Sequence, residues 1–160
     1  MQAYIADLHE YNNGNLIGFW LDLEDKDAED IRMEIQEFLD KRGHEEYAVH
    51  DWEEMPSYFG EYPDWEEVVE YVSGVQVHGA AFTAYWDHFY NCSLDDFQDR
   101  YSGSYDSSED WAEQYLEDIG EVPEYLQYYI DYERYARDAG LSGEMAFFET
   151  NGLVHVFYNH

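Results

Sequence analysis

Any chemistry in this chain of 160 residues has to come from its 38 Asp and Glu side chains, its 7 histidines or its single cysteine, Cys92. Carboxylates in pairs do general acid and base work, and in clusters they ligate cations. Here they are too numerous and too evenly spread to mark out one catalytic pair. The histidines, His50 on a predicted strand, His78 and His88 ten apart, His155 and His160 near the C-terminus, form no HExxH and no zinc-type spacing. The run DLEDKDAED at 22–30 resembles a calcium loop, but Asp27 stands where the loop needs Gly and Met33 where it needs Glu. No GxSxG, GxGxxG or GxxxxGK[ST] occurs, and Cys92 has no activating neighbours. The expectation is a protein without catalytic, cofactor or metal residues.

What the carboxylates can do together is present charge. Against 38 acids stand 7 Lys and Arg, a net charge of -31, yet the chain is 45% hydrophobic and holds 9 Phe, 5 Trp and 17 Tyr. A charge that large on a chain poor in apolar residues would mean disorder. Here the apolar supply is sufficient for a core, each buried aromatic removing about 150–250 Å² from water. The fold therefore holds like charges together against their own repulsion. Duplex DNA carries about one negative charge per 1.7 Å of axis, so 31 charges match about 50 Å of duplex, roughly 15 base pairs. Asp and Glu are acceptor-only at neutral pH, like phosphate oxygens, and a cleft of Arg and Lys can pair with either. The same charge argues against binding nucleic acid or an anionic membrane directly.

One cysteine allows no internal disulfide, which favours a reducing compartment. The start MQAYIADLHEYNNG lacks a basic, apolar leader, no stretch of 18 apolar residues occurs, and Asn91-Cys92-Ser93 is then a chance sequon match. The expected location is the cytoplasm.

The elements that must carry this charge follow from periodicity. Gln2–Leu8 and Leu16–Leu23 flank Asn12-Asn13-Gly14, a hairpin signal, and YAVHDW (47–52) alternates as a third strand. Between them Ile31, Ile35, Phe38 and Leu39 predict a helix over 27–42, capped by Asp27 and ended by Gly43. Pro63-Asp64 opens a second helix with Val68, Val69, Val72 and Val75 inward; Ala80–Tyr90 and a helix capped by Ser93 follow. Ser107 or Ser108 caps a helix with Trp111, Tyr115 and Ile119 inward, Pro123 opens another, and Ile130–Ala139 is the last. A hairpin about Asn151-Gly152 closes the chain. The fold class is α+β: a ββαβ unit over 1–56, a helical middle over 57–101, and an α+β domain over 102–160.

The outward faces are acidic and single-signed. They comprise Asp22, Glu24, Asp25, Glu29, Asp30, Glu34, Glu37 and Asp40 in the first segment, Glu66, Glu67 and Glu70 in the second, and Glu109, Asp110, Glu113, Glu117 and Asp118 in the third. One such face is ordinarily a solvated surface. Three of them with almost no interleaved Lys or Arg exceed what solubility requires.

The segments YIADLHEYNNGNLIGFWLDL (4–23), EEYAVHDWE (45–53), FQDRYSGSYDSSEDWAEQYLEDIG (97–120) and above all IGEVPEYLQYYIDYERYARDAGLSG (119–143) resemble the ArdA-type antirestriction proteins, with which mobile elements evade type I restriction enzymes. The last stretch is similar to that family's antirestriction motif. The resemblance implies an elongated three-domain protein, commonly a dimer, whose acidic surface mimics bent duplex DNA and whose partner is the methyltransferase core of a type I restriction–modification enzyme. It also maps the dimer contact to Tyr125, Leu126, Tyr129, Ile130, Tyr132, Tyr135 and Ala136. Two other readings stand beside it: an acidic chaperone or buffer for basic DNA-binding proteins, and a cation-binding protein adapted to high salt.

Overall fold

A computed structural model describes residues 1–90 and 92–160. Asn91, and the sequon read from it, lies outside the described residues. The fold is α+β, and its backbone groups into two compact units, Met1–His78 and Gly79–His160.

In the first unit, β1 (Gln2–Asp7), β2 (Gly18–Asp22) and β3 (Tyr47–Glu53) form an antiparallel sheet in the order β2-β1-β3. Alternation puts Ala3, Ile5 and Leu21 on the covered face, where Ile31, Ile35 and Leu39 of helix α2 (Ala28–Asp40) join the core. Burial of these apolar side chains, at about 25 cal/mol per Å², is the main favourable term. Asp27 caps α2 by accepting from Asp30 N–H at 2.8 Å, as its sequence position implied.

The connection between β1 and β2 differs from the expected two-residue turn. Asp7 ends β1 and caps a short helix α1 (Leu8–Asn12), accepting from Glu10 N–H at 3.2 Å. Asn13-Gly14 closes that helix, Gly14 at φ 87° bonding back to Tyr11, and the strands meet at Ala6 opposite Gly18. The sequence Asp7-Leu8-His9-Glu10 has the spacing of a capping box. The helix start outcompetes the hairpin.

Helix α3 (Trp65–His78) completes this unit, with Asp64 accepting from the N–H groups of Glu66 and Glu67. Val68 and Val72 are buried as expected, while Val69 and Val75 are half-buried and Trp65 and Tyr71 fill the core.

The second unit holds α4 (Ala80–His88), α5 (Leu94–Arg100), α6 (Ser108–Ile119), α7 (Tyr132–Leu141) and a sheet of β4 (Tyr101–Tyr105), β5 (Met145–Thr150) and β6 (Leu153–Tyr158) in the order β4-β6-β5. The closing hairpin is as read: Asn151 and Gly152 take φ of 54° and 79°, both in the left-handed region a type I′ turn needs. Strand β4, YSGSY, was not expected. Glycine and serine give it little strand propensity, and pairing with β6 imposes it.

Phe82, Tyr85, Phe97 and Phe157 form an aromatic cluster with centroids 5.2–6.1 Å apart. Trp111, Ala112, Ala136, Ala139, Met145 and Val156 form the other part of the core. On α6 the inward side is Trp111, Ala112 and Leu116, with Tyr115 half-buried, whereas Ile119, expected inward, is 42% exposed at the helix end.

Candidate functional site

The acidic residues sit where helix geometry puts them, opposite the apolar stripe of each helix. On α2, Ile31, Ile35 and Leu39 face inward, and Glu29, Asp30, Glu37 and Asp40 are exposed. On α6, Glu109, Asp110, Glu113, Glu117 and Asp118 are all exposed. Asp22 and Asp25 before α2, and Glu66 and Glu67 on α3, are exposed as well; Glu24, Glu34 and Glu70 are half-buried.

These carboxylates are not equivalent. Glu34 pairs with Lys26 at 2.8 Å, Glu24 with the terminal amine of Met1 at 2.9 Å, and Glu66 takes a two-pronged contact from Arg32 at 2.6 and 2.7 Å. The hydrogen bonds from Arg32 hold the Glu66 carboxyl below the usual range. Asp110 both receives the Ser107 hydroxyl at 2.8 Å and donates its N–H to it at 3.0 Å, so it belongs to the α6 cap. The remaining α2 and α6 carboxylates form the single-signed surface.

The chain's cations are mostly committed. Lys26, Arg32, Arg42, Arg100 and Arg134 each lie in an ion pair with a carboxylate of their own unit. Arg100 bonds Asp96 at 2.8 Å and the Tyr158 carbonyl at 3.2 Å, and Tyr85 donates to the same Asp96 at 2.7 Å. Burial pushes the Tyr85 phenol well above its ordinary value, so it stays protonated and structural.

Sequence reasoning missed the most buried acid. Asp7 is fully buried, its Oδ2 receiving Arg42 Nε at 3.0 Å and lying 2.6 Å from His44 Nδ1. Burial alone would raise its pKa; the bonds from His44, the Glu10 N–H and Arg42 outweigh that and lower it. The signal was present as the capping box noted above, but nothing in the sequence marked Arg42 and His44 as its partners.

The tyrosine segment splits into two roles. Residues Glu124–Tyr129 form a 3-10 helix following Pro123, on which Tyr125, Tyr128 and Tyr129 are 73, 95 and 85% exposed and Leu126 40%. Ile130, Tyr132 and Tyr135 are half-buried, the Tyr135 ring stacking 6.2 Å from Trp111. Ala136 is a core residue, 2% exposed, in the cluster against which Tyr132 and Tyr135 pack.

Among the described residues no group of three or more His, Cys, Asp or Glu is placed to hold a metal, and no helix is long and apolar enough to cross a membrane.

The family model of the antirestriction protein ArdA matches residues 3–154. No curated protein matches the chain. With nearly its whole length matched, the chain belongs to the ArdA antirestriction family, whose members are inhibitors directed at restriction–modification enzymes.

Proposed function

We propose that this member of the antirestriction family works as an electrostatic mimic of duplex DNA, occupying the DNA-binding cleft of a type I restriction–modification enzyme at its methyltransferase core and so blocking restriction, with modification blocked by the same occupancy. The observation that carries the reading is the pair of exposed, single-signed faces on α2 and α6, while five of the seven Lys and Arg are tied into local ion pairs. Exposed carboxylates whose few neighbouring cations, Arg32 among them, are tied into ion pairs offer a basic cleft what phosphates offer it: fixed negative charge and acceptor-only oxygens. Segments 1–56, 57–101 and 102–160 each contribute part of that surface, and the site of action is the cytoplasm.

The exposed tyrosines of 124–129 support a homodimer. Three tyrosines above 70% exposed beside Leu126 form an amphipathic patch of the composition enriched at interfaces. Doubling the chain doubles the charge presented.

The decisive experiment is competition between duplex DNA and this protein on a purified type I methyltransferase. Competitive displacement that weakens as salt rises is the expected result, since exposed charges are screened over about 8 Å at physiological ionic strength. Inhibition that leaves DNA binding intact, or an affinity indifferent to salt, removes the mechanism. Equal binding to unrelated basic proteins would favour the acidic-chaperone alternative.

A further inference from the structure

We propose that the outer face of the first unit's sheet is a docking surface for an arginine side chain of the partner protein. This rests on the reading of the partner as a basic, DNA-binding cleft, and it names the chemistry one part of the contact takes.

The strand register builds the surface. Trp20, Tyr4 and Asp51 stand side by side across β2, β1 and β3, and Asp22, Gln2 and Glu53 form the next row. Side chains two apart share a face, so all six lie opposite the buried Ala3, Ile5 and Leu21. Trp20 is 43% exposed, and its ring meets Tyr4 edge-on at 5.3 Å and 63°. Tyr4 in turn leans on the bare backbone of β2: a Cβ added at Gly18 would stand 2.8 Å from Tyr4 Cζ and would clash with the Ile5 carbonyl oxygen. The tyrosine is held by this missing side chain and braces the indole.

The carboxylates of this face, Asp22 two residues beyond Trp20 on β2 and Asp51 next to Tyr4 on β3, are also held. Asp22 Oδ1 accepts Glu24 N–H at 3.1 Å, and Asp51 Oδ1 accepts Trp52 N–H at 2.8 Å. Each Oδ2 is left without a protein donor among the described residues. The chain does not fill the position itself. Lys26 reaches the Asp22 main-chain oxygen at 2.7 Å and Glu34, and the arginines that lie over aromatic rings, Arg42 and Arg100, cover Phe38 and Phe89.

An oriented carboxylate beside an accessible indole fits a guanidinium better than an ammonium. The guanidinium is planar, stacks on aromatic faces, forks onto carboxylates and is weakly hydrated, whereas an ammonium is a strongly hydrated point charge. Tryptophan is the best of the aromatic rings for such a cation. A face carrying Asp22, Asp51 and Glu53 repels an anionic occupant, and a purely apolar one would strand three charges.

The test reads Trp20 directly. The full-length protein is titrated with oligo-arginine and, separately, with oligo-lysine of equal length, following the Trp20 indole N–H resonance identified by Trp20→Phe. The buried Trp111 resonance reports that the fold is intact. The Trp20 signal should move saturably with oligo-arginine, with a half-point roughly two- to fivefold lower than with oligo-lysine, the factor an exposed cation–π contact carries. Trp20→Leu should abolish the arginine advantage measured by calorimetry while leaving charge-driven binding, and Asp22→Asn with Asp51→Asn should erase the Trp20 response. A Trp20 resonance that stays put while the peptide binds elsewhere, or that answers both peptides equally, overturns the proposal. DNA competition separates the two claims. A chain that displaces DNA with Trp20 silent lacks this docking face alone. A chain that fails to displace DNA but shows the arginine-selective response keeps the face and loses the mimicry.

Discussion

Replacing Asp7 by Asn isolates the one buried carboxylate on which the first unit depends. Asparagine is an equally good helix cap, so the bond from Glu10 N–H to Oδ1 can persist. What changes is the other oxygen. Oδ2, which receives Arg42 Nε at 3.0 Å and faces His44 Nδ1 at 2.6 Å, becomes an amide nitrogen confronting the Arg42 donor. Hydrogen bonds to charged groups contribute about 1.5–3 kcal/mol each, and removing one partner of a buried ion pair costs about 3–5 kcal/mol. Arg42 retains 31% of its exposure and lies 3.8 Å from Glu10, so water and that second carboxylate recover part of the loss. The expected destabilisation is about 3 kcal/mol, which for a unit of this size is a drop of about 12–24 °C in its unfolding transition.

The pH dependence sharpens the same test. The Asp7 carboxyl is depressed in the folded state, so its stabilisation is fully present above the ordinary carboxylate range near 4 and is lost as pH falls through the depressed value. Protonating the other acids relieves repulsion over the same range, so absolute stability misleads. The difference between wild type and Asp7→Asn should be largest at neutral pH and shrink below about pH 4. Urea denaturation followed by near-ultraviolet circular dichroism measures it, with Glu37→Gln as the exposed control. A difference under about 0.5 kcal/mol at pH 7, within the range of ordinary surface substitutions, or one that stays constant into acid, would refute the reasoning.

Neutralising Glu37 alone should change affinity for the target by less than about 1 kcal/mol, whereas Glu109, Glu113, Glu117 and Asp118 replaced together should sharply reduce inhibition with the fold intact; Asp110 is spared because it belongs to the α6 cap. A single exposed substitution that abolishes inhibition without unfolding the chain would contradict a distributed surface. Sedimentation of wild type and of a Tyr129→Glu plus Ile130→Asp variant should show the variant's self-association lost, and a wild type monomeric at micromolar concentration would remove the dimer. Gly18→Ala should destabilise the first unit by about 1–3 kcal/mol, the usual cost of overpacking, because its Cβ would clash with the Ile5 carbonyl oxygen; an unchanged melting curve would show that the strand gives way. Added salt should raise thermal stability while weakening target binding, because screening relieves internal repulsion and intermolecular attraction alike. Both moving the same way would contradict that common cause.

What could be read from the sequence was what local pattern decides. The caps at Asp27, Ser93 and Ser107, the stripe of Ile31, Ile35 and Leu39, and the Asn151-Gly152 turn are all choices that neighbouring residues settle. The misses share a different cause. Strand β4 exists because β6 pairs with it, Ile119 is exposed because it is the last residue of α6 while Trp111, Ala112 and Leu116 take the buried stripe, and α1 wins over the hairpin through a cap whose carboxylate is anchored by residues 35 and 37 positions away. The acidic faces were legible because helical periodicity alone sorts inward from outward. The row of Trp20, Tyr4 and Asp51 was not, since it depends on the order β2-β1-β3, which no strand specifies by itself.

That order also explains how so charged a chain stays folded. Like charges are tolerable on helix faces that look into water, where solvent and salt screen them. They are least tolerable where elements must close on one another. There the scarce cations are found: Arg32 of α2 bridges to Glu66 of α3, Arg42 beyond α2 holds Asp7 between β1 and α1, and Arg100 of α5 ties Asp96 to the Tyr158 carbonyl of β6. The exposed pairs, Arg32 with Glu66 and Arg100 with Asp96, contribute only about 0–1 kcal/mol each, so apart from the buried Asp7 site their placement serves less to add stability than to remove repulsion at the junctions. Used in this way, a few cations stabilise the fold and leave the outward faces unmixed. A surface meant only to be soluble would intersperse the two signs; spending the cations at junctions keeps the acidic faces available for a basic partner.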